Sequence, residues 1–249
     1  MNHIFFKLAS KVLLTDILSF LRIDANEFER INHLNNINFK TFEILEFSSL
    51  DNLKKNTLSF MSKKINDLSL ENCSVCLVDK TYDKNSYKNI IKIPVINPRK
   101  SFSELVSNFC VKKINKGDKS KFNNQSIIFN SVKLGKSFEI GNFSEIKSNV
   151  IIGDNVVIGN GVTIHENCII GDNSVIKNGV NIECTVLNEN VTIGENSVIG
   201  KNGFAFIPFS LKNKVFFHIG GVVIGQNSYI GANSNIDRGF INDTTIGES

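Results

Sequence analysis

The chain of 249 residues is 41% hydrophobic and 21% charged, which is typical of a soluble globular protein with one large domain or two ordinary ones. Its net charge of +4 comes from a small basic excess spread along the chain, which is too weak to indicate a nucleic-acid partner. Lys7, Lys11 and Asp16 interrupt the apolar start of the chain, and no small-residue cleavage site follows. We therefore expect neither a signal peptide nor an integral membrane segment.

The first part of the sequence alternates helical and strand-like segments. The pattern predicts a first helix that includes Asp16 to Phe20, and short buried strands at Val75–Val78 and Ile93–Ile96. A second helix is predicted over Ser101–Phe109, with Ser101 as its N-cap. These elements indicate a small α/β domain.

The five cysteines form no even disulfide framework, and a chain of this size does not need disulfides, so a reducing cytoplasm is the expected setting. Cys73 and Cys76 have the spacing of half a zinc site, but the sequence has no second pair. Small buried apolar side chains are the preferred interpretation, and no metal site is expected.

A lysine-rich segment follows the α/β domain, which we assign to residues 1–111. Five of the residues from Lys112 to Lys121 are lysine, with little apolar content. This composition predicts a solvated linker at 112–125 rather than a binding patch.

From Ile128 an aliphatic residue recurs at every sixth position, which neither a helix nor a simple alternating strand produces. A hexapeptide period is the signature of a parallel β-helix, in which short strands form the flat walls of a prism, and such prisms are known to be left-handed. A small or branched residue two positions before each aliphatic shares its inward face. Three positions after each aliphatic residue from Ile146 to Ile176 stands Asn or Gly, which tolerate positive φ at a corner. The wall positions are Ile128, Leu134, Ile140, Ile146, Ile152, Ile158, Ile164, Ile170, Ile176 and Ile182.

The predicted fold class is therefore α+β, with a small N-terminal α/β domain followed by a left-handed parallel β-helix over residues 126–249. The repeat is broken twice, since one residue is missing near Leu187 and residues 201–219 form an insertion. Insertions in repeat folds commonly carry the binding surface. This directs attention to Gly203–Phe206 and Phe216–His218.

Hexapeptide prisms mostly belong to acyltransferases, although a fold alone does not determine function. Acyl transfer to an amine or hydroxyl needs a general base, usually histidine, and a backbone N–H that stabilises the oxyanion. The chain has four histidines. We interpret His3 and His33 as surface residues, and His165, which follows a wall aliphatic, as a weak candidate. His218 flanks the insertion and is the candidate for substrate contact.

Longer motifs carry a resemblance to a known family. VIGKNGFAFIPF (Val198–Phe209) and HIGGVVIGQNSYIGANSNIDRGFINDTTIG (His218–Gly247) strongly resemble the UDP-3-O-(3-hydroxyacyl)glucosamine N-acyltransferases of lipid A biosynthesis. Leu58–Met61 and Asn97–Arg99 resemble that family's uridine-binding domain. The resemblance implies transfer of a 3-hydroxyacyl chain from the phosphopantetheine thioester of acyl carrier protein to the 2-amino group of UDP-3-O-acyl-glucosamine. It also implies a cytoplasmic homotrimer, active sites between two prisms and no tightly bound cofactor.

The resemblance also assigns roles to single residues. In the uridine-binding domain Phe60 would stack on the uracil ring, while Lys63 and Asn66 occupy positions where the family has other residues. Phe204 and Phe206 would shape the substrate cleft. Asp237 and Arg238 would contact substrate or a neighbouring subunit, with a surface ion pair at a corner as the alternative. The expected substrate-binding set is Phe60, Asn97, Gly203, Phe204, Phe206, His218, Asp237 and Arg238.

The family's catalytic histidine and its orienting aspartate lie directly downstream of the stretch that resembles Asp243–Gly247. The chain stops at Ser249, so we expect no catalytic residue in it and interpret it as C-terminally truncated. A prism cut at this point exposes an open sheet edge, which disfavours a naturally short protein. The alternative left open is a non-catalytic nucleotide-sugar-binding or structural β-helix protein.

Overall fold

The computed structural model describes residues 1–25, 28, 32, 38–61, 74–81, 90–113, 120–123, 125–207 and 214–249, with the backbone alone at 120–123, 207 and 214. The chain divides into two compact units. The N-terminal unit comprises Met1, Lys7–Val111 and Ala205–Phe217, and the repeat unit comprises Asn2–Phe6, Lys112–Phe204 and His218–Ser249. Over the ranges described, no helix is long and apolar enough to cross a membrane.

The N-terminal unit is built on a four-stranded parallel sheet of order β4-β5-β6-β7. Phe102, on the second helix, packs edge-on against Phe47 at 5.5 Å between ring centroids. The predicted first helix and the buried strand at Val75–Val78 are confirmed, whereas the second predicted strand ends at Val95 and Ile96 is 80% exposed. The elements are β1 (Phe6–Leu8), β2 (Val12–Leu13), α1 (Leu14–Leu21), β3 (Glu43–Ile44), β4 (Glu46–Phe47), a 3-10 helix (Leu50–Asn52), β5 (Thr57–Phe60), β6 (Ser74–Asp79), β7 (Ile90–Val95), α2 (Pro98–Phe109) and β8 (Cys110–Lys112).

The N-cap of helix α2 is Asn97, so the prediction of Ser101 was wrong. Asn97 has an extended backbone, and its Oδ1 accepts a hydrogen bond from the Lys100 amide at 3.0 Å. Pro98 follows at the first helical position, where its missing N–H costs no hydrogen bond. Asn97 and Pro98 together start the helix one turn before the point that the sequence pattern indicated.

The repeat unit is a parallel β-helix with three walls, as predicted. The first wall has the order β27-β22-β19-β16-β13-β10-β9, the second β11-β14-β17-β20-β25-β28, and the third β12-β15-β18-β21-β26. Its strands, together with the insertion strands β23 and β24 of the N-terminal unit, are β9 (Ser120–Asn123), β10 (Ser126–Phe129), β11 (Lys133–Leu134), β12 (Glu139–Ile140), β13 (Glu145–Ile146), β14 (Ile151–Ile152), β15 (Val157–Ile158), β16 (Thr163–Ile164), β17 (Ile169–Ile170), β18 (Val175–Ile176), β19 (Asn181–Ile182), β20 (Thr185–Leu187), β21 (Thr192–Ile193), β22 (Val198–Asn202), β23 (Phe206–Ile207), β24 (Lys214–Val215), β25 (Val222–Ile224), β26 (Tyr229–Ile230), β27 (Asn235–Arg238) and β28 (Thr244–Ile246).

The corner positions have the backbone conformation that the sequence predicted. Their φ angles are +55 to +70°, at Asn149, Asn155, Gly161, Asn167, Asn173 and Gly179. Asparagines one coil, or 18 residues, apart also bond to each other, with 3.3 Å between Asn149 Nδ2 and Asn167 Oδ1. Asparagine therefore both permits the left-handed turn and links successive coils.

The wall positions are buried as predicted, except at the start of the prism. Ile146, Ile164 and Ile182 are fully buried, whereas Leu134 is 45% exposed. Leu134 lies on β11, the end strand of the second wall, so a neighbouring coil covers it from one side only. The prediction that every wall position is buried was thus wrong at Leu134, which lies at the end of a wall.

One coil is a residue short, as predicted. Ile170 pairs with Leu187 and Ile182 pairs with Ile199, an interval of 17 residues. The next corner falls at Cys184, which has a φ of +48° where the six corners from Asn149 to Gly179 have Asn or Gly. The lost residue therefore lies between Ile182 and this corner.

The predicted solvated linker differs from the structure at Lys112, which ends strand β8 and bonds through Nζ to Glu183 at 2.5 Å. Residues 120–123 also form strand β9, antiparallel to β10. Residues 114–119 and 124 lie outside the described residues. The lysine-rich segment is thus not wholly solvated, because Lys112 has a partly buried carboxylate partner.

The described cysteines are small buried side chains, as predicted. Cys76, Cys110, Cys168 and Cys184 are buried and form no disulfide, and burial raises the pKa of the Cys76 thiol to about 12. Cys73 lies outside the described residues. Within those residues, no group of three or more His, Cys, Asp or Glu could hold a metal ion.

Candidate functional site

The insertion leaves the repeat unit at a break in the first wall. Strand β22 pairs with β27, and the register shifts between Ile199 and Asn202. Gly200 lies within this irregularity with a φ of +81°, and a Cβ there would come 1.6 Å from the Glu183 carbonyl oxygen. Only glycine fits at this position. The chain can therefore bend out of the coil at Gly200 while the wall stays paired.

Gly203, His218 and Asp237 come together at the base of the insertion. A Cβ at Gly203 would lie 3.1 Å from His218 Nε2 and 3.6 Å from Asp237 Oδ2. His218 is 6% exposed, and its ring packs edge-on against Phe240 at 5.8 Å between centroids. Asp237 is exposed. The structure thus places an imidazole nitrogen and a carboxylate beside the backbone of Gly203, and both groups can hydrogen-bond an amine or a hydroxyl.

Phe204 and Phe206, the two insertion phenylalanines predicted to shape the cleft, fall in different units. Phe204, in the repeat unit, is 91% exposed. Phe206 lies on β23 in the N-terminal unit, is 42% exposed and pairs with Val215 on β24. The next residue, Phe216, is buried beneath the Arg99 guanidinium, whose Cζ lies 5.1 Å from the ring centroid. The middle of the insertion is therefore a two-stranded hairpin that packs with the N-terminal unit.

The predicted uridine-contacting residues lie at one edge of the N-terminal sheet. Phe60 ends β5, is half-buried, and packs on Phe102 at 5.0 Å between ring centroids. Asn97 follows the end of β7, and the carboxyl ends of parallel strands meet at the same edge. Lys63 and Asn66 lie outside the described residues. The contact of Phe60 and Asn97 with uracil stays a prediction.

A charged cluster centred on Glu183 was not predicted from the sequence. Its carboxylate lies 2.5 Å from Lys112 Nζ, 2.7 Å from Lys201 Nζ and 3.4 Å from Arg238 Nη1. Burial raises the pKa of Glu183, but the hydrogen bonds and charges of Lys112 and Lys201 outweigh it and lower the pKa to about 2. Glu183 and Lys201 are 18 residues apart, whereas the interval of this shortened coil is 17 residues, so the repeat spacing gives no direct signal of their pairing. Lys112, 71 residues from Glu183, carried no such signal.

Arg238 is buried, at 9% exposure, so the alternative of a surface ion pair was wrong. Nη1 donates to the Gly200 carbonyl at 3.1 Å, and Nη2 donates to Asn202 Oδ1 at 3.1 Å. The guanidinium also stacks over Phe6, 5.5 Å from the ring centroid. These contacts within the repeat unit occupy both terminal nitrogens of the side chain.

His165 lies beside the same cluster. Its Nε2 is 3.4 Å from Lys201 Nζ, and its Nδ1 is 4.0 Å from Glu166. Burial lowers the pKa of His165 to about 4, and the charges of Lys201 and Lys147 contribute in the same direction. His165 is therefore neutral at physiological pH and a weak base. This agrees with its interpretation as a weak candidate for the general base.

Two family models match the repeat unit. The model described as bacterial transferase hexapeptide (six repeats) matches residues 131–166, and the hexapeptide repeat of succinyl-transferase matches residues 221–241. The matches lie on either side of the shortened coil and the insertion. They confirm the hexapeptide repeat independently of the spacing argument.

Several curated relatives are named UDP-3-O-acylglucosamine N-acyltransferase. The protein of Leptothrix cholodnii is 47% identical over 49 residues, which is 20% of this chain and 14% of the relative. That of Saccharophagus degradans is 52% identical over 48 residues, 19% of this chain and 14% of the relative. That of Rickettsia massiliae is 38% identical over 66 residues, 26% of this chain and 19% of the relative. The chain thus matches less than a fifth of the length of each of these relatives.

A solved structure of a perosamine N-acetyltransferase mutant from Caulobacter crescentus, in complex with CoA and GDP-perosamine, is also similar. It shares 16% identity and a TM-score of 0.38 over 50% of this chain and 51% of that one. At this level of similarity the structure carries no argument about function.

Proposed function

We propose that this chain is a hexapeptide-repeat transferase that serves N-acyl transfer to a nucleotide sugar, since two family models match its repeat unit and its matched segments resemble the UDP-3-O-acylglucosamine N-acyltransferases. The acceptor is the 2-amino group of UDP-3-O-acyl-glucosamine. The donor is a 3-hydroxyacyl chain on the phosphopantetheine of acyl carrier protein, and the setting is cytoplasmic lipid A biosynthesis. The observation that carries the proposal is the identity of 37–52% to the named relatives over 48–68 residues.

The geometry of each unit supports a separate part of this proposal. In the N-terminal unit, the half-buried ring of Phe60 offers a face for uracil at a sheet edge where ligands commonly bind. In the repeat unit, the His218 ring and the Asp237 carboxylate flank Gly203. A carboxylate at that place would attract an ammonium group.

Assembly into a homotrimer is part of the proposal. The outward positions of the second wall form a ladder of aliphatic residues that stack in register, at Ile151, Ile169, Val186 and Val223. Ile151 is 39% exposed in the single chain, and exposed apolar ladders are often buried by another subunit. Sedimentation equilibrium is expected to give three times the chain mass of 27.8 kDa. A monomer at micromolar concentration would contradict this part.

Nucleotide binding tests the N-terminal unit. We expect isothermal titration calorimetry to detect binding of UDP-N-acetylglucosamine and not of ADP-glucose. Because aromatic stacking on a base is worth about 1–3 kcal/mol, Phe60→Ala is expected to weaken binding by about tenfold or more. Phe20→Ala is the matched control, since Phe20 is also a partly exposed ring packed on another phenylalanine. Equal binding of both nucleotide sugars would reject uridine recognition.

Acyl transfer tests the chemistry. With hydroxyacyl carrier protein and UDP-3-O-acyl-glucosamine, we expect no turnover that depends on His218, because the resemblance assigns the general base to another residue. Mass spectrometry of the product would detect transfer. Robust turnover that His218→Ala abolished would instead make His218 the general base and overturn that assignment.

A further inference from the structure

The contacts of Arg238 bracket the point where the insertion begins. The Gly200 carbonyl, which accepts from Nη1, lies before the insertion, and Asn202 Oδ1, which accepts from Nη2, lies at its start. The same Asn202 Oδ1 also accepts a hydrogen bond from the backbone N–H of His218 at 3.3 Å. His218 is where the chain returns to the repeat unit. Asn202 Oδ1 therefore links a residue at the start of the insertion to a residue at its end.

We propose that Arg238 is a positioning residue that ties the two ends of the insertion together through Asn202, and so fixes His218 beside Gly203. Asn202 is exposed, and water would compete for its amide unless a charged donor oriented it. Nη2 of Arg238 supplies that donor. The His218 amide then meets a fixed acceptor, and the imidazole attached to the same residue is held with it.

Glu183 and Phe6 hold the guanidinium in turn. The carboxylate lies 3.4 Å from Nη1, and the ring lies beneath the guanidinium plane. Lys112 and Lys201 hold the carboxylate from two other directions. A lysine in place of Arg238 would not serve, because a single ammonium lacks the planar pair of nitrogens that reaches Gly200 and Asn202 together.

The tie gives Arg238 a role other than substrate contact. It rests on the proposed function only in that Gly203 and His218 are taken to face the acceptor sugar. The tie itself can be tested without substrate. If the unaltered chain binds no UDP-N-acetylglucosamine, the proposed function fails while the tie stands or falls on its own measurement.

Hydrogen exchange at single amides, followed by NMR on the complete chain, tests the tie. The reporter is the His218 amide, and the reference is the Gly194 amide, which donates to the Ile230 carbonyl at 2.8 Å within the prism. Since one well-placed hydrogen bond contributes about 1 kcal/mol, Arg238→Met is expected to speed exchange at His218 by about fivefold and to leave Gly194 within about twofold. In an Asn202→Leu background, Arg238→Met is expected to add no further change at His218.

Lys177→Met is the matched control, because Lys177 also pairs with a glutamate at 3.4 Å and lies over an aromatic ring at 6.0 Å, yet is far more exposed. It is expected to change neither amide. Unchanged exchange at His218 in Arg238→Met, or an equal rise at His218 and Gly194, overturns the proposal. A rise that persists in the Asn202→Leu background overturns the route through Asn202.

Arg238→Met carries a risk of misfolding, since the side chain is buried. Glu183→Gln then provides the test, because it keeps the shape of the side chain and removes the charge that holds the guanidinium. Exchange at His218 is expected to rise about threefold in this variant, for a hydrogen bond weakened rather than lost. No change at His218 in folded Glu183→Gln overturns the proposal.

Discussion

Two neighbouring isoleucines provide a direct test of the prism core. Ile152 points inward and is 2% exposed, whereas Ile151 points outward and is 39% exposed. Replacing Ile152 by alanine removes three buried carbons, which is worth about 2.4 kcal/mol of transfer free energy at about 0.8 kcal/mol per carbon. The cavity left behind raises the expected cost to about 3–4 kcal/mol. At Ile151 water fills the vacated space once the chain is monomeric, so we expect a cost of about 1–1.5 kcal/mol for the single chain.

The free energy of unfolding can be measured for both variants by urea denaturation followed by far-UV circular dichroism. The prediction is the difference of about 2 kcal/mol between the variants, because the residue type and the strand are the same. Ile170→Ala and Ile169→Ala, one coil further along the same wall, provide a replicate. Equal costs at Ile151 and Ile152 would refute the assignment of inward and outward faces.

Three further changes test other features. Gly200→Ala is expected to destabilise the fold by about 4 kcal/mol or more, since the φ of Gly200 is +81° and the added Cβ meets a backbone carbonyl. Gly161 has a φ of +64°, and a Cβ there would meet no atom within 4 Å, so Gly161→Ala should cost only about 1–2 kcal/mol in the same urea measurement. Asn97→Ala is expected to cost about 1 kcal/mol in melting experiments, and Asn97→Ser should restore most of it as an alternative N-cap. The folded-state pKa of His165, about 4, lies below the ordinary 6.5, so its neutral form stabilises the fold fully above pH 6.5 and that contribution is lost as the pH falls towards 4. His165→Gln should therefore lose less stability between pH 7 and pH 5 than the parent chain. His3→Gln, a control at an exposed site, should behave like the parent.

The sequence predicted the prism in detail because each hexad repeats one local rule. Every corner between Asn149 and Gly179 needed a residue that tolerates positive φ, and the sequence supplied Asn or Gly. The missing residue before Leu187 was visible for the same reason, as a change of phase. The exposure of Leu134 was not visible, because the hexad pattern does not mark which coil ends the stack.

The site was predicted only in part. Gly203, His218 and Asp237 were each singled out, but the sequence did not show that they meet. The place of Arg238 was hidden because its partners come from different coils and its ion pair is buried. Such contacts depend on how coils stack, which residue spacing reveals only when both partners lie one coil apart.

The shortened coil has a consequence for comparing sequences of this kind. Side chains alternate between the two faces of a strand, so an ungapped alignment across Cys184 assigns the wall residues from Leu187 to Ile199 to the wrong face. Ile193 and Ile199, which are fully buried, would then be scored as surface residues. The two family matches end at residue 166 and resume at residue 221, and neither crosses the change of phase. A search for relatives of this chain should therefore use a repeat pattern in which one coil has 17 residues and the regular coils have 18.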